Sequence, residues 1–495
     1  MTNSGAGAST PPRSSGLALL TGTKSGRLIT ILLVLKGLVL IFNAATYPPH
    51  RGYDAGHHAW RARSAGLEMD KLAYNSPFYY LPALPWVDLS RFYDHGKPRL
   101  NVPAEPDEVG ANYRGGGGRT DYTLLGLLQG LNVVYVLGAY LAWIVGILPL
   151  VARSRRTWFL ASLLVLALPG FEKAAVMAHP DVLLIFMSSV TFLLTIRWLN
   201  RHPTRFTRNI ALAVLAGLTG ACRPFAVVPL LILWVLNIGM LIRDAIASAR
   251  SGASSRMATI SRLCAKVAVV SLIAVALSSS WWVFRYAHTG EVLNAYQDGY
   301  IVRFAPLKED YDYTHYYTSF YFDQLLEVPN RATFGHRPSL YPKHNSFWTQ
   351  LYSEFWGDHY LYFSGPKNAV EAKLWVKRVL FVVALPLSLL MWLGTITGTL
   401  RAIADAVRRR IFLHPVLFMS AIFWGGFLLF LTWQGTAGLL PGKNSTIKFL
   451  YIAWLVPFGI GTAASQHIGP RLFWIFLVIE LAVLIAAFPM SLNFL

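Results

Sequence analysis

Four short segments of the chain combine side chains that could do acid–base or phosphate chemistry. In the first segment, Tyr53–Arg61, Asp54 lies three and four residues before His57 and His58. On a helix, that spacing places the carboxylate on the same face as one of the imidazoles. A carboxylate within hydrogen-bond reach can take the proton of an attacking hydroxyl, so Asp54 is a candidate general base, and His57 and His58 beside it are predicted to bind substrate. Two alternatives stay open: Asp54 as a helix N-cap, and His57 with His58 as zinc ligands.

The second segment, Phe171–Asp181, contains Glu172, Lys173, His179 and Asp181 between two apolar stretches. Ionisable groups this close to a membrane are costly and are usually functional or paired. We therefore predict that Glu172 and His179 bind substrate and that Asp181 is a catalytic residue. The alternative is that these groups only pair with one another and cap the helix that follows.

The third segment precedes a late apolar stretch and contains Lys443 and Lys448. A lysine at a helix N-terminus opposes the helix dipole, which favours anions there. Two such lysines indicate a negatively charged partner, and a phosphate group fits. Arg223 and Arg285, near the ends of other apolar stretches, are candidates for the same phosphate. The alternative is that these cations extend to lipid headgroups.

The fourth segment, Asn345–Tyr360, is dense in aromatic residues with interspersed polar ones. Aromatic planes suit the apolar faces of a sugar ring, and polar side chains suit its hydroxyl rim. Trp356, Asp358 and His359 are therefore predicted to bind substrate. The same aromatic residues are also typical of the belt at a membrane interface, and this alternative stays open.

The composition indicates what kind of protein carries these segments. Of its 495 residues, 54% are apolar and only 14% are charged, whereas about a quarter of a soluble domain is charged. This excludes soluble and disordered chains and indicates an integral membrane protein. With only two cysteines, Cys222 and Cys264, the chain cannot be a disulfide scaffold.

Apolar stretches of suitable length predict the fold class, an all-α polytopic membrane protein. A spanning helix needs about 20 mainly apolar residues, and eleven stretches meet or approach that length. Two of them are short and interrupted, the first by Pro169 and the second by a break at Cys222, and we expect tilted helices or paired half-helices there. The predicted spans are 28–46, 123–150, 157–170, 182–199, 209–222, 224–242, 266–286, 379–400, 416–433, 448–466 and 472–494.

The basic residues predict the orientation. One set of alternate connections carries 20 basic residues and two acidic ones, whereas the other carries 23 basic and 21 acidic residues. Cytoplasmic connections are the ones enriched in Lys and Arg, which places the N-terminus inside and the C-terminus outside. The net charge of +20 is therefore an orientation signature and does not indicate a nucleic-acid partner.

Two outer connections are long enough to define the domain organisation. They cover 47–122 and 287–378, and connections beyond about 12 to 15 residues are usually functional or disordered. Their aromatic content favours ordered loops, so the chemistry is expected outside the cytoplasm. The predicted regions are a flexible cytoplasmic tail at 1–27, a seven-helix catalytic module at 28–286, the second long loop at 287–378, and a four-helix module at 379–495.

Taken together, these features resemble the GT-C superfamily of membrane glycosyltransferases, which use lipid-phosphate-linked sugars. The resemblance lies in an acidic residue after the first span (Asp54), an acidic residue before the fourth span (Asp181), seven spans before a second long loop, and a basic-aromatic approach to a late span. It implies that Tyr451 contacts the lipid phosphate with Lys443 and Lys448. Ala55 stands where protein mannosyltransferases have the second acid of an Asp-Glu pair, so that subfamily is not indicated.

The resemblance implies an inverting transfer outside a bacterial inner membrane. The donor would be a polyprenyl-phosphate sugar, and the acceptor a hydroxyl of a glycan, lipid or protein. The leaving group is already a phosphate, so a lysine can stabilise its charge without a metal; a divalent cation held by nearby His and Asp residues stays open. The alternatives are an envelope-polysaccharide polymerase or ligase, and a transporter, which would favour internal repeats and binding residues at the bilayer midplane.

Overall fold

The chain is mostly helical in the part that the computed structural model describes. Within those residues no β-strand occurs. The described residues are 16–47, 77–83, 85, 122–199, 205–223, 226–251, 255–289, 313–322, 346–357, 374–409, 413–436 and 449–491.

Fifteen α-helices follow one another in these ranges. In the first half they are α1 (Gly16–Gly22), α2 (Lys24–Thr46), α3 (Tyr122–Leu141, continued by a π-helical turn at Ala142–Ile147 and by Leu148–Val151), α4 (Arg155–Ala167), α5 (Pro169–Val176), α6 (Asp181–Leu199) and α7 (Phe206–Cys222). In the second half they are α8 (Val227–Arg250), α9 (Arg256–Thr289), α10 (Tyr313–Thr318), α11 (Phe347–Trp356), α12 (Leu374–Arg409), α13 (Pro415–Thr436), α14 (Phe449–Ala464) and α15 (Pro470–Ser491). Two 3₁₀ turns, Pro77–Tyr79 and Leu81–Ala83, lie in the first long loop.

Eight of the described helices are long and apolar enough to cross a membrane, namely α2, α3, α6, α8, α9, α12, α13 and α15. The bent pair α4–α5 makes nine if it counts as one span, while α7 and the apolar part of α14 are shorter. The prediction of an integral, multi-pass, all-helical membrane protein is therefore confirmed at this level.

The two spans that the sequence marked as interrupted are broken where expected. Helices α4 and α5 meet at an angle of 42°, because Leu168 takes an extended backbone conformation before Pro169 and a residue that precedes proline disfavours the α-helical region. Helix α7 ends at Cys222, and Arg223 is extended. The first of these breaks therefore separates two shorter helices, α4 and α5.

The described part of the predicted flexible tail of 1–27 is helical rather than irregular. Residues from Gly16 onward are helical, and α1 buries Leu19 and Leu20. The Cα of Gly16 packs so closely on the π-helical turn of α3 that a Cβ would lie 1.9 Å from the carbonyl oxygen of Val145. A short apolar helix at this position therefore docks on the bundle before the first span begins.

An aromatic cluster joins the two halves of the bundle. The ring of Phe458 on α14 lies 5.0 Å from Trp143 of α3 and 5.3 Å from Phe192 of α6, both in edge-to-face geometry. By contrast, α9 exposes large apolar side chains such as Leu272 and Val275. The helices are thus apolar on both sides, as expected of spans that face one another and lipid.

One end of the bundle carries several exposed arginines among the described residues. At one end, called here the arginine end, exposed arginines stand at the starts of α4 (Arg155), α9 (Arg256) and α15 (Arg471) and at the end of α12 (Arg408). The opposite end, where α6 begins at Asp181, is called here the Asp181 end. The candidate functional groups lie there and in the spans below it.

Candidate functional site: a buried charged network

At the start of α6, the carboxylate of Asp181 forms an ion pair with the guanidinium of Arg223. Asp181 is fully buried, and its Oδ1 lies 2.6 Å from Nε of Arg223. His179 Nδ1 accepts a hydrogen bond from the Asp181 backbone N–H at 3.3 Å and lies 3.5 Å from Asp181 Oδ2. A carboxylate in the first turn of α6 is also favoured by the helix dipole.

Arg223 reaches Asp181 because α7 ends one residue earlier, at Cys222, beside the start of α6. Its side chain is only 8% exposed. Removing either partner of such a buried pair would leave an uncompensated charge in the bundle. The structure therefore brings together two residues for which separate roles are predicted, Asp181 in catalysis and Arg223 in phosphate binding.

Helix α5 connects the first span to the second long loop through two consecutive charged residues. Glu172 forms an ion pair with Lys36 of α2, and the two side chains are 4% and 11% exposed. Lys173 points elsewhere, and its Nζ donates a hydrogen bond of 3.0 Å to the backbone carbonyl of Glu354 on α11. Lys36 lies about 18 Å along an α2 of about 33 Å, which places it near the middle of the span.

Side-chain amides of α3 hold the chain that leads out of α5. Gln129 Nε2 donates to the carbonyl of Val176 at 2.8 Å, and Asn132 Nδ2 donates to the carbonyl of Met177. These are carbonyls at the C-terminal end of α5, which have no partner within the helix itself. The turn formed by residues 177–181, called here the 177–181 turn, is thus fixed by a neighbouring span.

The first long loop contributes Tyr79 to the same place. Its hydroxyl donates to Asn132 Oδ1 at 3.0 Å and contacts the backbone of His179. Burial, and secondly the neighbouring Tyr80, raise the pKa of the Tyr79 phenol well above its usual value. The hydroxyl therefore stays protonated and serves as a hydrogen-bond donor rather than as a base.

Helix α11 of the second long loop covers the network and is almost entirely buried. Trp356 is 1% exposed, and its indole N–H donates to Ser388 Oγ of α12 at 2.7 Å. Tyr352 donates from its hydroxyl to the carbonyl of Phe381, also on α12. A sugar-stacking tryptophan needs an accessible ring face, so we leave Trp356 out of the proposed binding site and assign it to packing.

Several predicted site residues lie outside the part of the chain that the structure describes. Outside the described residues lie Asp54, His57, His58, Asp358, His359, Lys443 and Lys448. The backbones of Arg285 and Tyr451 lie in α9 and α14, but their side chains do not belong to the described part. The described residues contain no group of three or more His, Cys, Asp or Glu placed to hold a metal ion. The divalent-cation alternative also depends on the segment that contains Asp54.

Sequence reasoning missed four members of the network. Lys36 is a charged residue within the first predicted span, and such residues are functional-site candidates by default. Gln129 and Asn132 are polar residues on one face of an apolar span, a pattern that could have marked them. Nothing local distinguishes Tyr79, because the first long loop holds several tyrosines.

No protein-family model, no curated protein and no solved structure matches the chain.

Proposed function

We propose that the protein is a membrane glycosyltransferase that moves a sugar from a polyprenyl-phosphate donor to an acceptor hydroxyl. The observation that carries the proposal is a buried charged network at the Asp181 end of the bundle that contacts residues of both long loops. Tyr79 comes from the first loop and α11 from the second. The layout of long loops and acidic residues in the sequence, which resembles the GT-C superfamily, supports the same activity.

The proposed topology has eleven spans with the N-terminus in the cytoplasm of a bacterial inner membrane. In this arrangement α4–α5, α7 and α14 also cross, and the arginine end faces inward by the positive-inside rule. The Asp181 end then faces away from the cytoplasm. Nucleotide sugars are cytoplasmic, so a lipid-linked sugar is the donor that can reach this side.

In the proposed reaction, Asp54 removes the proton of the acceptor hydroxyl. The hydroxyl oxygen attacks the anomeric carbon, the bond from that carbon to the phosphate oxygen breaks, and the polyprenyl phosphate leaves with the bonding electrons. Lys443 and Lys448 stabilise the phosphate charge. Asp181 is already paired with Arg223, so we assign it to positioning rather than to proton transfer.

Chain connectivity limits how far Asp54 can lie from this network. The carbonyl of Tyr47 lies 3.5 Å from Nε2 of Gln129, the residue that also holds Val176. Asp54 stands seven residues after Tyr47, and seven residues can span at most about 25 Å.

The substitution Asp54→Asn tests the proposal in a transfer assay with a radiolabelled polyprenyl-phosphate sugar. Loss of a general base lowers turnover by about a hundred- to ten-thousandfold, whereas an N-cap role predicts almost no change, because Asn caps as well as Asp. Asp244→Asn, an acid paired with Arg243 far from the site, is the control and keeps normal turnover. Turnover of Asp54→Asn within about threefold of wild type would refute the catalytic role.

The Lys36–Glu172 pair favours a transporter as the second candidate function. Charges near the midplane and a broken span are both typical of secondary transporters. Flux of a labelled substrate into proteoliposomes that contain the purified protein, without any transferred sugar in the products, would favour this candidate over the transferase.

A further inference from the structure

The hydroxyl of Tyr79 closes a ring of contacts around the 177–181 turn. It donates to Asn132 Oδ1, Asn132 donates from Nδ2 to the carbonyl of Met177, and Tyr79 contacts the backbone of His179. The side-chain amide of Asn132 thus links Tyr79, through its Oδ1, to the 177–181 turn, through its Nδ2. Tyr79 and Asn132 are 1% and 0% exposed, so bulk water does not reach either contact.

The 177–181 turn also orients the Asp181 carboxylate. His179 Nδ1 accepts a hydrogen bond from the backbone N–H of Asp181, and the Asp181 carboxylate forms an ion pair with Arg223. A small shift of the turn therefore changes the direction of the Asp181 carboxylate and the position of Arg223 together. The first long loop, which also contains Asp54, acts on both groups through Tyr79.

We propose that Tyr79 is a positioning residue that links the first long loop to the His179–Asp181 pair. Removing its hydroxyl leaves Asn132 Oδ1 buried without that donor and frees the turn to move. The proposal that this affects catalysis rests on the proposed function, whereas the effect on the turn does not.

The labelling rate of the Cys222 thiol reports on the turn without requiring any enzyme activity. It is buried beside Arg223, and Asp181 lies close enough to act electrostatically on its thiol. Since the chain has only two cysteines, Cys264→Ser makes Cys222 the sole thiol. Its reaction with N-ethylmaleimide in detergent then measures how often the buried structure around Arg223 opens.

Tyr79→Phe is expected to speed this labelling about fivefold, which corresponds to about 1 kcal/mol of lost local stability. Asn132→Leu should act similarly, and the double variant should label no faster than the faster single one, because both changes break the same connection. Tyr140→Phe is the matched control: it removes an equally buried hydroxyl that has no hydrogen-bond partner within the described residues. Equal labelling rates for Tyr79→Phe and Tyr140→Phe would overturn the proposal.

The catalytic consequence is measured separately. In the transfer assay, Tyr79→Phe should lower kcat about tenfold and leave the donor KM within about twofold of wild type, because positioning acts in the transition state. A proportionate rise in KM with unchanged kcat would contradict a positioning role. If the wild-type protein transfers no sugar, the proposed function fails, and the labelling comparison still decides whether Tyr79 holds the turn.

Discussion

The ion pair between Lys36 and Glu172 gives the strongest prediction about stability. Both side chains are nearly buried, at 11% and 4% exposure, so the values for surface ion pairs, about 0 to 1 kcal/mol, do not apply. Replacing Lys36 by the unbranched Met leaves the Glu172 carboxylate in the bundle without this partner. Breaking a buried pair from one side typically costs about 3 to 5 kcal/mol.

The double substitution separates charge pairing from packing. The double variant Lys36→Met/Glu172→Gln has neither charge of the pair. Most of the stability lost in Lys36→Met should therefore return, because replacing both partners of a buried pair is often neutral. Unfolding of purified protein by titration with dodecyl sulfate, followed by tryptophan fluorescence, gives the free energies of the four proteins in this cycle. Lys24→Met, an exposed lysine on the same helix, is the control and should change stability by less than about 0.5 kcal/mol.

One result would refute this reasoning. If the double variant is as unstable as the sum of the two single variants, the two charges do not stabilise each other, and each acts through other contacts.

Two further predictions concern a buried acid and the topology. Glu480 on α15 is 3% exposed, and its Oε2 has no hydrogen-bond partner within the described residues. Glu480→Met should therefore raise the free energy of unfolding by about 1 to 3 kcal/mol. A loss of stability in the same titration would indicate that the carboxyl has a structural role. In a variant without native cysteines, Ser339→Cys should react with a membrane-impermeant maleimide in intact cells, whereas Arg155→Cys should react only in inverted vesicles. The reverse pattern would contradict the proposed orientation.

The sequence alone determined where the long apolar helices form and which connections are basic. Both properties can be read from short stretches of sequence. A run of about 20 apolar residues, for example, must form a helix in lipid regardless of which other helices pack against it. The breaks at Pro169 and Cys222 were also predictable, since proline restricts the backbone of the residue before it. The helix at Gly16–Gly22 was missed because a seven-residue apolar run is too short to indicate a helix without the surface on which it docks.

Only the tertiary structure decided which polar groups meet. Lys36 and Glu172, Asp181 and Arg223, and Tyr79 and Asn132 are far apart in sequence, and their pairing depends on which helix faces pack together. Hydropathy places a residue in a span but does not say which neighbouring span its side chain faces. A buried charge or amide needs a partner, so the sequence required that such partners exist, and the packing of the helices selected them.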